Sequence, residues 1–200
     1  MATEAHRRLI LASGSRGRRE LMEKHGYAFD VRVSNIHEPT EARLGDCRHY
    51  VAELAWLKAE AVAASTASGI IIAADTVGWQ YGKVVGKPDD RDHARRIITA
   101  LSGTTHDLWT GICLWVQPEG WQFTWQELSV VEMQSLGEAQ IEAYLDTRLW
   151  EGCSGAYAIQ QPTDPYLRVV RGSISNVIGL PMESLSKYLA SIHTLVANDG

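Results

Sequence analysis

The chain lacks the features that mark several large classes of protein. Cysteine appears only as Cys47, Cys113 and Cys153. The three form no CxxC, cannot all pair and show no zinc-site spacing, so neither a disulfide scaffold nor a structural zinc is indicated. A reducing, cytoplasmic setting is the expectation. No apolar run reaches the roughly 18–20 residues of a membrane span. Near the N-terminus the apolar stretch is only Leu9 to Ala12, too short for the core of a secretory signal. Positive charge is not in excess: 19 Lys and Arg stand against 24 Asp and Glu, a net charge of −5. That balance argues against a binder of duplex nucleic acid, though it permits a small basic pocket for phosphates. There is no GxSxG elbow, and His37-Glu38 lacks the second histidine of HExxH. No repeat of 20–50 residues and no low-complexity tract is visible.

What is present reads as a globular enzyme-sized domain. Hydrophobic residues make up 45% and charged residues 22% of 200 positions. One domain over residues 1–200 is expected, with room for a small lobe around 106–135. RLILAS (8–13) reads as a strand, followed by a small-residue loop and a helix from about Arg18 to His25. FDVRVS (29–34) alternates apolar and polar and reads as a second strand. Residues 48–64 have helical spacing at Tyr50, Leu54, Leu57 and Ala61. The run Ile70–Ala74 is apolar enough for a buried strand that ends on Asp75. Residues 89–103 predict a helix with an acidic cap and a glycine stop. Two long strands joined at Pro118-Glu119-Gly120 predict a hairpin. A helix at 136–147, short strands at 154–160 and 166–173, and a closing helix from Leu180 to about Val196 complete the reading. The mixture points to an α/β fold with a mixed central sheet flanked by helices.

Some residues stand out chemically. LASGSRGRRELM places a strand, a small-residue loop and a helix start together. That is a natural anion site, with hydroxyls from Ser13 and Ser15 and a guanidinium from Arg18. A helix start with solvated arginines explains the same letters. Lys58 projects between Val51 and Leu54, on the apolar side of its helix, where a lysine is unusual. Asp75 at a strand end can hold a divalent metal, take a proton from water, or simply form a turn. GKVVGKP is not a Walker A loop: only three residues separate its glycines, and Pro88 stands where Ser or Thr belongs. Its Lys87, between a glycine and a proline, is nonetheless firmly placed. Together Arg18, Lys58, Asp75 and Lys87 have the charge balance of a site for a triphosphate with a metal. The seven tryptophans lie mostly on the expected strands, where packing explains them better than base stacking.

LASGSRGRREL, AADTVGWQYGKVVGKP, LSGTTHDLWTG, GAYAIQ and NVIGLPMESL occur in the order found in the Maf family of nucleoside triphosphate pyrophosphatases, which the chain resembles from about Leu9 to Leu189. The resemblance implies a fold related to the inosine triphosphate pyrophosphatases. It implies cleavage of a modified or non-standard nucleoside triphosphate to the monophosphate and pyrophosphate, a homodimer, and dependence on Mg²⁺, Mn²⁺ or Co²⁺. It assigns Ser13, Ser15, Arg18, Lys58, Lys87 and Gln160 to substrate, Asp75 to catalysis and metal, and Glu38 to metal. Two departures bear on the base. Gly17 replaces one arginine of the family's S-P-R-R, and Gly152-Cys153 replaces the Asp-Lys pair of the dTTP/UTP branch. Those changes resemble the 7-methyl-GTP branch, whereas Tyr157 and Gln160 resemble the dTTP/UTP branch. Both substrates stay open. The alternative from another class is a non-catalytic, nucleotide-sensing regulator of cell division.

Overall fold

The computed structural model describes residues 7–37, 46–159 and 164–198. The strands are β1 (Leu9–Leu11), β2 (Phe29–Val31), β3 (Gly69–Gln80), β4 (Lys83–Val85), β5 (Thr105–Gln117), β6 (Trp121–Met133) and β7 (Leu167–Arg171). The helices are α1 (Arg16–Lys24), α2 (Cys47–Ala63), α3 (Arg91–Leu101), α4 (Glu138–Asp146), α5 (Ile174–Ile178) and α6 (Met182–Asn198). All the strands join one mixed sheet, ordered β2-β1-β3-β5-β6-β7, with β4 added to β3. β1 runs parallel to β2 and β3, and the other pairings are antiparallel. The tryptophan-rich hairpin β5–β6 is part of this sheet, not a separate lobe. β5 pairs with β3 from Gly69 to Trp79 and with β6 along nearly its whole length. Among the described residues no helix is long and apolar enough to cross a membrane.

Alternation along β3 divides the core, because successive strand residues face opposite sides. Ile70, Ile72 and Ala74 pack with Leu9, Leu11, Ile112, Leu114 and the inner face of α6. Ile71 and Ala73 pack with Ile10, Cys113 and the alanines of α2. A third core, from Leu108, Val131 and Met133, is covered by α3 and α4. Each fully buried isoleucine or leucine contributes about 1.5–3 kcal/mol of hydrophobic stabilisation. The caps follow from local chemistry. The Asp46 carboxylate accepts from the Arg48 amide at 2.9 Å, and that of Asp90 from the His93 amide at 2.7 Å. Ser15 caps α1 and starts it two residues earlier than the sequence spacing predicts.

Two further sequence expectations are corrected. Asp75 does not end its strand. β3 continues five residues further and returns as β4 through Tyr81 and Gly82, both at positive φ. The pairing with β5 carries it on, which the polar residue alone conceals. The segment around Ser154, expected as a strand, is a single 3₁₀ turn, because Gly155 and Ala156 take positive φ and cannot extend.

Candidate active site

The site begins with a gap in the sheet. β5 occupies one edge of β3 from end to end. β1 and β4 therefore share the other edge, at Ile70–Ile72 and at Gly78–Gln80. Between them β3 has no strand neighbour on that edge among the described residues, and Asp75 and Thr76 lie in this notch. Ser154 closes part of it, its hydroxyl donating to the Thr76 carbonyl at 3.1 Å.

Asp75 faces α2. Its Oδ1 receives Lys58 Nζ at 2.5 Å, and the residues are only 6% and 8% exposed. The lysine that the helical periodicity placed on an apolar face is thus buried against a carboxylate. Thr76, next in sequence, points the other way, towards α1 and α5. There Arg18 is held from three sides. Its Nε donates to the Gly179 carbonyl at 2.8 Å, and its terminal nitrogens to Ser13 Oγ at 3.0 Å and Thr76 Oγ1 at 3.2 Å. Ser13 Oγ also accepts from the Ser15 amide at 3.2 Å. Thr76 shares a hydrogen bond with Thr110 at 2.9 Å, and Thr110 donates to the Asn176 carbonyl at 3.1 Å. Asn176 and Gly179 both belong to the α5 unit, so these contacts form a closed ring around the guanidinium. Gly179 is needed in it: at φ +116° it sits where a Cβ would come within 3.0 Å of Thr76 Oγ1 and 3.2 Å of Arg18 Nε.

The third side is the GKP turn. Lys87 is exposed at the rim, and the Gly86 carbonyl accepts from the Gly155 amide at 3.0 Å. That bond ties the turn to the segment carrying Cys153 and Ser154. Burial pushes the Cys153 thiol pKa up, and the nearby Lys87 charge opposes that push. Tyr157 is committed elsewhere. Its hydroxyl donates to Asp164 at 2.7 Å and its ring stacks on Tyr144 with centroids 4.5 Å apart. Gly17 has a packing reason, since a Cβ there would lie 2.8 Å from Ile178 Cγ2 on α5.

The structure therefore gathers Ser13, Ser15, Arg18, Lys58, Asp75 and Lys87 around one notch. Glu38 and Gln160 lie outside the described residues. Sequence reasoning missed Thr76, Thr110, Ser154 and Asn176. Thr76, Thr110 and Asn176 lie in motifs of the family resemblance, but nothing in the letters singled them out; Ser154 carried no signal. Among the described residues no group of three or more His, Cys, Asp or Glu could hold a metal by itself. A hard divalent cation completed by substrate phosphates needs only one or two carboxylates, and Asp75 supplies one at the notch.

Comparison with known proteins agrees with this arrangement of motifs. The model of the Maf-like protein family matches residues 8–192. A dTTP/UTP pyrophosphatase of Rhodopirellula baltica is 38% identical over 187 residues, covering 90% of this chain and 80% of that protein. A dTTP/UTP pyrophosphatase of Anaeromyxobacter dehalogenans is 39% identical over 187 residues, covering 91% and 92%. Among solved structures, the Ham1 protein of Staphylococcus aureus aligns with a TM-score of 0.42 at 14% identity, over 63% of this chain and 71% of that one.

Proposed function

The chain belongs to the Maf family, and from that premise we propose that it hydrolyses a nucleoside triphosphate to the monophosphate and pyrophosphate, with dTTP and UTP as its substrates. The observation that carries the reading is the buried Lys58–Asp75 pair at a notch ringed by Arg18, Ser13, Ser15 and Lys87. A carboxylate beside several cations suits attack of water on a polyanion. The names of the similar proteins support the choice of base.

In this reading Ser13, Ser15 and the first turn of α1 bind phosphate oxygens through hydroxyls and backbone amides. Arg18, fixed by its ring, and Lys87, at the rim, hold charge that gathers on the leaving pyrophosphate. Asp75 orients a water and takes its proton as the new bond to the α-phosphorus forms and the bridging bond breaks. Lys58 fixes the Asp75 carboxylate and sets a positive charge beside the phosphates. Asp75, with Glu38, would hold Mg²⁺, Mn²⁺ or Co²⁺, which when bound supplies charge neutralisation of the triphosphate. Positioning and electrostatics supply most of the rate, and no side-chain nucleophile is needed.

The test is pyrophosphate release by the purified protein from dTTP, UTP, 7-methyl-GTP, ATP and GTP, with each cation and with chelator. Release from dTTP and UTP that chelator abolishes is the expected result. Tight nucleotide binding without release would instead favour the non-catalytic regulator. The homodimer belongs to the same proposal, and sedimentation of the purified protein decides it.

A further inference from the structure

Asp75 lies directly opposite Gly111 in the β3–β5 ladder. Cross-strand partners share a face, so Gly111 also points at α2. It has no side chain to point. A Cβ built there would lie 2.2 Å from the Val51 carbonyl oxygen, 2.3 Å from its carbon and 2.6 Å from the Ala52 nitrogen. Those atoms are helix backbone and no rotamer change can move them aside. For any larger residue α2 would have to rise by roughly 1 Å or more to recover ordinary contact.

The rest of the seat is equally small. The next pair along the same face is Ala73–Cys113, and α2 meets it with Ala55 and Ala59, all fully buried. Ala55 and Ala59 bracket Lys58 on the helix. Side chains on a helix lean towards its N-terminus, so Lys58 runs back along α2 towards the turn of Val51, which rests on Gly111. Its reach to Asp75 at 2.5 Å depends on how low that helix sits.

We infer that Gly111 is a positioning residue: with Ala55, Ala59 and Ala73 it sets the height of α2 over the sheet and thereby closes the Lys58–Asp75 pair. For catalysis the inference rests on the pyrophosphatase reading, but the geometric claim stands apart from it. Gly111 itself touches neither substrate nor reacting atoms.

The experiment is a set of double-mutant cycles, because coupling isolates one pair from general destabilisation. Lys58→Met and Asp75→Asn are made singly and together in the otherwise unchanged protein, and again on the Gly111→Ala background. Urea unfolding is measured for all. In the first set the two changes are strongly non-additive. On the Gly111→Ala background they become additive, because the pair is already parted. A merely structural glycine would lower every midpoint and leave the coupling intact, and that result would overturn the proposal. Turnover gives a second reading: Gly111→Ala lowers kcat by about 10²-fold alone and by less than about 3-fold on the Lys58→Met background. Losses that multiply in full also overturn it. If Gly111→Ala does not fold, Ala59→Val raises the same helix by a different route and is held to the same two criteria. If the unaltered protein releases no pyrophosphate, the functional proposal fails while the unfolding cycles still decide this one.

Discussion

Lys58 Nζ sits 2.5 Å from Asp75 Oδ1 in a place from which water is nearly excluded. A buried pair of this kind is costly to break from one side, since the remaining charge loses its partner without regaining water. It also gives the pocket two opposite charges in fixed positions, which is what water activation next to a polyphosphate requires. Both consequences can be measured.

Asp75→Asn is expected to abolish nearly all turnover and to leave the protein folded but less stable, since the Lys58 ammonium loses its counter-charge. The amide is close to isosteric and still accepts a hydrogen bond from Lys58, but it carries neither charge nor useful basicity. Loss of a general base costs about 10²–10⁴-fold in rate. If Asp75 holds a cation as proposed, loss of its carboxylate adds to that. Activity assays beside thermal melts check it. A folded variant that turns over normally removes Asp75 from the mechanism.

Lys58→Met separates two explanations of a lysine on an apolar helix face. A lysine that only snorkels can be replaced by methionine without harm. The ion pair with Asp75 excludes that outcome here. Methionine strands a buried carboxylate, so stability should fall by about 3–5 kcal/mol. Adding Asp75→Asn to it should restore part of the loss, as no unpaired charge remains. Urea unfolding of both variants decides. A methionine variant as stable as the parent would contradict the pairing.

The sequence made much of this site readable, because the relevant signals are local. Helical periodicity put Lys58 on the wrong face for a solvated lysine. The strand–loop–helix pattern put Ser13, Ser15 and Arg18 together at a helix start, where their side chains meet. What stayed hidden depends on contacts between distant segments. Nothing near Asp75 says that β3 continues, since the partner that carries it on is β5, some thirty residues away. Thr110 and Asn176 are ordinary polar letters until folding closes the ring around Arg18. Gly111 did leave a trace, as a lone glycine inside a strand pattern. Which backbone approaches it could not be read from one segment.

His106 predicts a pH dependence unrelated to the site. It is 5% exposed, its Nδ1 has no hydrogen-bond partner among the described residues, and burial lowers its pKa to about 4. The unfolded chain, with a histidine near 6.5, therefore binds more protons than the folded one between those values. Stability should be lost as pH falls from about 6.5 to about 4, by up to about 3 kcal/mol from this residue. His106→Leu removes the titrating group and should flatten that part of the curve. Unfolding free energies at half-unit pH steps provide the comparison. An unchanged slope would place the sensitivity elsewhere.

Cys153 tests the choice of base. Its thiol is pushed up by burial and stays neutral at pH 7, beside Lys87 on the notch rim. A neutral wall tolerates the positively charged ring of 7-methylguanine, whereas a second ammonium repels it. The unaltered protein is expected to favour dTTP and UTP over 7-methyl-GTP. Cys153→Lys should then lower kcat/KM for 7-methyl-GTP by about tenfold, equivalent to about 1.4 kcal/mol of like-charge repulsion across the pocket. For dTTP and UTP the change should stay within about threefold, since an ammonium meets uracil and thymine carbonyls without conflict. The three rates are measured side by side at fixed salt, because exposed charge is screened. If 7-methyl-GTP is unaffected by the lysine, Cys153 does not face the base. If the unaltered protein prefers 7-methyl-GTP, the exchange of the Asp-Lys pair for Gly152-Cys153 outweighs the likeness to dTTP/UTP pyrophosphatases.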